Sequence, residues 1–118
     1  SLEEDAERAA DRRSKLQENS LVHFIEGDMM DHSVVDRVRD SGPYDLVWFD
    51  CGGPVEYQHF VDYYWNMVKE YALFHFTYFR GEPNKNNSIL STITDISYRM
   101  DIVEPHKFKQ GSITMLRK

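Results

Sequence analysis

A chain of 118 residues suits a single domain, 1–118, and 41% hydrophobic with 14% aromatic residues is material enough for a core, which excludes global disorder. A net charge of −6, from 20 acids against 14 bases, argues against a general nucleic-acid binder. The lone cysteine, Cys51, excludes an internal disulfide framework and zinc sites built on CxxC pairs.

A reducing cytoplasm is the expected home of a chain with so little cysteine. No apolar run has the length to span a bilayer, and the opening EEDAERAADRRSK lacks a signal peptide's apolar stretch. Residues 3–17 read as a solvated helix with a thin contact face. LVHFIEGD, 21–28, reads as a strand ending in Gly27-Asp28. In DHSVVDRVRDSG a start signal at Asp31 or Ser33 and a stop at Gly42 bracket Val34, Val35 and Val38 on one face, which predicts a short helix. YDLVWFD, 44–50, is an apolar strand ending on an acid. Pro54 then opens a long helical pattern over 55–71, with Tyr57, Phe60, Val61, Tyr64 and Val68 in period. ALFHFTYF, 72–79, is an aromatic-rich strand, and Asn87 or Ser88 begins a helix running to about Ser97. RMDIVEPHKF, the turn KQGS and ITMLRK read as an antiparallel hairpin. The alternation predicts an α/β fold: a mostly parallel sheet, helices on both faces, and a C-terminal antiparallel hairpin.

In such sheets ligands bind beyond the carboxyl ends of the strands. Asp28 is placed to accept from an exocyclic amine such as that of adenine, and Gly27 lets the backbone come close; a turn or helix cap is the plainer reading. Asp50 sits at the edge of an apolar core before Gly52-Gly53, where it can handle a ligand, a metal or a proton, or accept backbone donors of the turn. Cys51 is a nucleophile only with a base nearby, and His75 is the one candidate on a neighbouring strand; a small buried residue is the plainer reading. His75 is a base, a metal ligand or a satisfied strand-end histidine. His106 and Lys107 are expected in solvent near the hairpin turn. The remaining histidines show no metal-ligand spacing.

A GD after one strand, YDLVWFDCGGPVEY entering a long helix, an aromatic strand and a hairpin with EPHKFKQGSITMLRK together resemble the C-terminal part of a class I S-adenosylmethionine-dependent methyltransferase. The resemblance covers nearly the whole chain. It implies that Asp28, with Met29 beside it and Gly27 before it, contacts adenine. It implies that Asp50, Cys51 and Gly52 line the methyl-transfer site. Asp50 also matches a metal-binding acid of the small-molecule O-methyltransferases, but His75-Phe76-Thr77 stands where those enzymes carry Asp-Asn, so no metal is expected.

The G-x-G-x-G turn that holds the cofactor's methionine part has no counterpart in this sequence. The expectation is therefore a partial methyltransferase domain, inactive alone, whose parent acts on a small-molecule acceptor with Asp50 or His75 as base. Two consequences are expected: 21–27 pairs with 45–50, or chains associate through exposed strand edges into a homo-oligomer. The rival readings are a non-enzymatic α/β interaction or dimerisation module with helix 55–71 as its face, and a Cys51–His75 hydrolase.

Overall fold

The structure is a computed structural model and describes residues 6–12, 21–104 and 112–118. Helix α1 spans 6–12 and is almost wholly exposed. The rest of the expected N-terminal helix, His106, Lys107 and turn residues 109–111 lie outside the described residues.

Residues 21–27 do not form a strand, and they do not pair with 45–50. A β-branched, aromatic run is strand-like only where it fits a pleated, half-buried surface, and among the described residues no strand offers one: Leu21 is 87% exposed. The segment is anchored through its carbonyls instead. The Arg37 guanidinium donates to the carbonyl of Glu26 at 3.2 Å, and the Tyr64 hydroxyl to that of Met29 at 2.7 Å.

Helix α2, His32–Ser41, starts where the sequence signals it, with the Asp31 carboxylate accepting from the Ser33 amide at 2.9 Å. Its Val34 and Val35 are buried. Strand β1, Tyr44–Phe49, leads through the glycine turn into α3, Pro54–Tyr63. The expected helix 55–71 stops there. A 3-10 turn, Trp65–Met67, follows, and strand β2 runs from Val68 to His75. Val68 fits both periods: it extends the helical pattern, but it is also the first buried member of the alternation Val68, Ala72, Phe74. Pairing with β1 decides in favour of the strand. At its other end β2 stops short of the expected Phe79, because Phe76 takes φ +60° and turns the chain.

Short strands β3, Tyr78–Phe79, and β4, Glu82–Pro83, form a small hairpin. Helix α4, Lys85–Leu90, is capped by Asn84, earlier and shorter than the pattern suggests. Strands β5, Tyr98–Val103, and β6, Ser112–Arg117, pair antiparallel as expected.

The sheet order is β1-β2-β6-β5, parallel only between β1 and β2 and antiparallel at both other pairings. The expected mostly parallel sheet with helices on both faces is thus overturned. The described residues supply a single strand-helix-strand crossover, β1-α3-β2. Beyond it β2 is flanked by the returning arm of the hairpin. Residues from α2, α3 and α4 meet in one cluster with Phe49, Ala72, Phe74 and Leu116, so these helices cover one face of the sheet.

Near the hairpin that covered face turns polar. Thr77 and Thr114, both fully buried, share a hydrogen bond of 2.6 Å. The Thr114 hydroxyl donates to Asp101 at 2.6 Å, so Thr77 is the donor to Thr114. Arg99 closes the chain on Asp101 at 3.0 Å. The opposite face is apolar, and no described element covers it. Pairing aligns Trp48, Leu73, Met115 and Met100 in one row across all four strands. Leu46, Tyr71, Arg117 and Tyr98 form the row on one side of it; His75, Ile113 and Ile102 form the row on the other.

Candidate functional site

Parallel register between β1 and β2 sets Phe49 opposite Phe74, so the next residues, Asp50 and His75, emerge side by side at the carboxyl ends of the strands. Asp50 Oδ1 lies 3.2 Å from His75 Nδ1. The carboxylate is half-exposed and the imidazole only 18% exposed. The backbone of His75 is pinned as well: its carbonyl accepts from the Tyr57 hydroxyl of α3. Just beyond it the Phe76 carbonyl accepts from both Asn84 Nδ2 and Asn86 Nδ2, each at 3.0 Å. These bonds hold the left-handed turn that aims the histidine.

After Asp50 the chain turns at Gly52, φ +64°. A Cβ there would come within 2.5 Å of the Glu56 carboxyl group, so glycine is required by both conformation and space. The Glu56 carboxylate accepts from the Gly53 amide at 3.1 Å and starts α3.

Along the free edge of β1 runs a cleft of about 370 Å³ whose walls include Gly27, Met29, Asp50 and Cys51. Val47, Phe60 and Tyr64 give it apolar lining, and the same three residues line an adjoining apolar cavity of about 250 Å³. The cleft's volume is in the range of small-molecule sites, and the adjoining cavity falls just below it. The 21–31 loop and the end of β1 meet here because α3 grips the loop: Tyr64 and His59 Nε2, at 2.9 Å, both address the Met29 carbonyl.

Four of the six expected cofactor residues, Gly27, Met29, Asp50 and Cys51, therefore face one cleft. Asp28 and Gly52 do not line it. Asp28 is engaged by its own turn, Oδ1 accepting from the Met30 amide at 2.9 Å, as the plainer reading of that residue holds. Gly27 lets the loop pack closely on α2: a Cβ would meet Cγ2 of Val34, another wall residue of the cleft, at 2.6 Å. The two expected catalytic residues are in contact, Asp50 belonging both to the cleft and to the pair with His75.

Partial burial, and then the Glu56, Asp28 and Asp50 carboxylates, push the Cys51 thiol above its ordinary range. That disfavours the thiolate a Cys51 nucleophile needs. The same acids give the mouth of the cleft a negative potential. Among the described residues no three of His, Cys, Asp and Glu are grouped to hold a metal ion. No described helix is long and apolar enough to cross a membrane. Sequence reasoning missed Tyr57, Asn84 and Asn86. The first looked like a core aromatic only, and nothing local marks the others as ligands of the Phe76 carbonyl.

Comparison with protein-family models, with curated proteins and with solved structures finds no match for this chain.

Proposed function

We propose that this chain forms the adenine and acceptor sides of an S-adenosylmethionine-dependent methyl-transfer site for a small-molecule acceptor, and that it does not turn over alone. One observation carries the reading. The two segments that the resemblance implicates, separated by some twenty residues of sequence, face each other across a single cleft through Gly27, Met29, Asp50 and Cys51.

The lining fits such a ligand. Apolar walls from Val47, Phe60 and Tyr64 suit a flat heteroaromatic base, and acids at the mouth suit a cation. When bound, the sulfonium supplies an already activated methyl group. What remains for the protein is alignment and removal of the acceptor's proton. Asp50 is placed for the latter at Oδ2, while Oδ1 is held on His75 Nδ1. His75 acts as a positioning residue, fixed in turn by Tyr57. The methionine part would need a cradle, and the 118 residues contain no G-x-G-x-G run.

The test is titration of S-adenosylmethionine into the isotope-labelled chain, followed by amide chemical shifts. Weak, fast-exchange shifts confined to Gly27, Met29, Asp50 and Cys51 are expected, with negligible heat by calorimetry and smaller shifts in Asp50→Asn. Shifts elsewhere, or none at millimolar ligand, would remove the reading.

A second reading, a module whose role is association, is favoured by the uncovered sheet face. Its interface is not helix 55–71 as first expected, because Tyr57, Phe60 and Tyr64 are buried in the core.

A further inference from the structure

The face of the sheet opposite the helices carries exposed apolar side chains beyond the proposed site and meets that site only at Trp48, Asp50 and His75. Leu46 and Trp48 on β1 and Tyr98, Met100 and Ile102 on β5 are 56%, 48%, 52%, 40% and 51% exposed. Between them stand Tyr71 and Leu73 of β2 and Ile113 and Met115 of β6, all half-buried. About half of each of the five exposed side chains faces water; at roughly 200 Å² per fully exposed side chain that is about 500 Å², at the upper end of the largest patch found on ordinary monomers.

The face is also nearly free of charge. Its ionisable members within these rows are His75 and Arg117, and the Asp50 carboxylate adds one acid at the end of β1, 3.2 Å from His75. Arg117 is satisfied within the chain, its guanidinium 5.6 Å from the centre of the Tyr71 ring and 3.3 Å from the Glu70 carboxylate. Nucleic acid and anionic lipid seek basic surfaces, and the three rows hold no lysine, on a chain whose net charge is −6. What fits is another flat apolar surface. Two sheets pack face to face at about 10 Å with their side chains interdigitated. A second copy supplies a surface of matching size and chemistry, and a two-fold axis sets the same patch against itself. Two copies would withdraw about 1,000 Å² from the five exposed side chains alone, the least a specific interface needs. The half-buried residues add to it.

We infer that this face is a homodimer interface, in which two copies pack sheet against sheet through the rows centred on Trp48, Leu73, Met115 and Met100. It is distinct from pairing along the free edge of β1. It also does not depend on the cofactor reading: the shift mapping can fail while the dimer stands, and the reverse.

The experiment is sedimentation equilibrium of the full 118-residue chain from about 1 to 100 μM, the window in which an interface of the smallest specific size becomes occupied. Wild type should reach twice the chain mass. Met100→Lys/Ile102→Lys on β5 and Trp48→Lys on β1 should each remain monomeric at the top concentration, with circular dichroism confirming the fold. Strands β1 and β5 lie at opposite edges of the sheet. Edge pairing through β1 would therefore respond to Trp48→Lys and spare the β5 variant. Should a variant fail to fold, acrylamide quenching of the wild type decides: Trp65 is buried, so the quenchable emission is that of Trp48, and it should become protected as concentration rises. A monomer throughout, open-ended association, a dimer that survives the β5 substitutions, or unchanged quenching would each overturn the inference.

Discussion

Replacing Phe74 by alanine tests the assignment of the two sheet faces most directly. Phe74 is fully buried, with the rings of Phe60, Tyr57 and Phe49 at centroid distances of 5.3, 5.9 and 6.1 Å. Truncation removes a ring from the centre of this cluster and leaves a cavity that the strand cannot close, a loss of about 3–5 kcal/mol. At roughly 0.05–0.15 kcal/mol per residue the whole chain is stable by about 6–18 kcal/mol, so the variant still folds but sits much nearer the edge. With a urea slope of about 2 kcal/mol per molar, the midpoint should fall by about 2 M. Leu73→Ala, one residue earlier on the same strand, is the control. Leu73 points to the uncovered face, where truncation opens no closed cavity, and its cost should be about 1 kcal/mol, or about 0.5 M. Both are read from urea unfolding followed by circular dichroism, at protein concentrations low enough to suppress association. If Leu73→Ala proves as damaging as Phe74→Ala, the assignment of the faces is wrong.

Burial first, then the Asp50 carboxylate and Cys51, drive the Tyr57 hydroxyl well above its ordinary value of 10.0. The folded chain thus holds this proton more tightly than the unfolded chain. The stabilisation is present below pH 10 and lost as pH rises beyond it. Tyr57→Phe should cost about 1 kcal/mol at neutral pH through the lost bond to the His75 carbonyl, and should flatten the alkaline decline; urea midpoints from pH 7 to 11 that run parallel in the two proteins would contradict this. Cys51, with its thiol pushed up by partial burial and three carboxylates, should react with iodoacetamide at pH 8 more slowly than free cysteine. A faster reaction would restore the nucleophile reading.

The elements most legible in the sequence carry their own local signals. Asp31 announces α2 and then caps it, and Gly52-Gly53-Pro54 announces α3. The alternation of the last strand survives as the buried set Ser112, Thr114 and Leu116. The failures lie where a long-range partner decides. Residues 21–27 have strand composition but no neighbouring strand among the described residues, and Val68 satisfied two periods until β1 chose one. The candidate site divides in the same way. Asp50 and His75 were visible as strand-end residues, and their contact follows once the parallel register is known. Tyr57 and the asparagine pair act through hydroxyl and amide groups on backbone carbonyls that no spacing rule connects.

The hydrogen-bonded sequence Thr77, Thr114, Asp101, Arg99, buried at its two threonines, gives the C-terminal hairpin a means of rejecting its own misalignment. Side chains alternate along β5, so sliding it one position against β6 would carry Asp101 out to the apolar side and drive Met100 against the threonine pair, where the Thr114 hydroxyl would lose its acceptor. Apolar packing alone would discriminate weakly there, since Tyr98, Met100 and Ile102 meet little in the monomer. A one-position slip of this arm is therefore opposed by unsatisfied polarity, and the flat outer rows inherit their order from it.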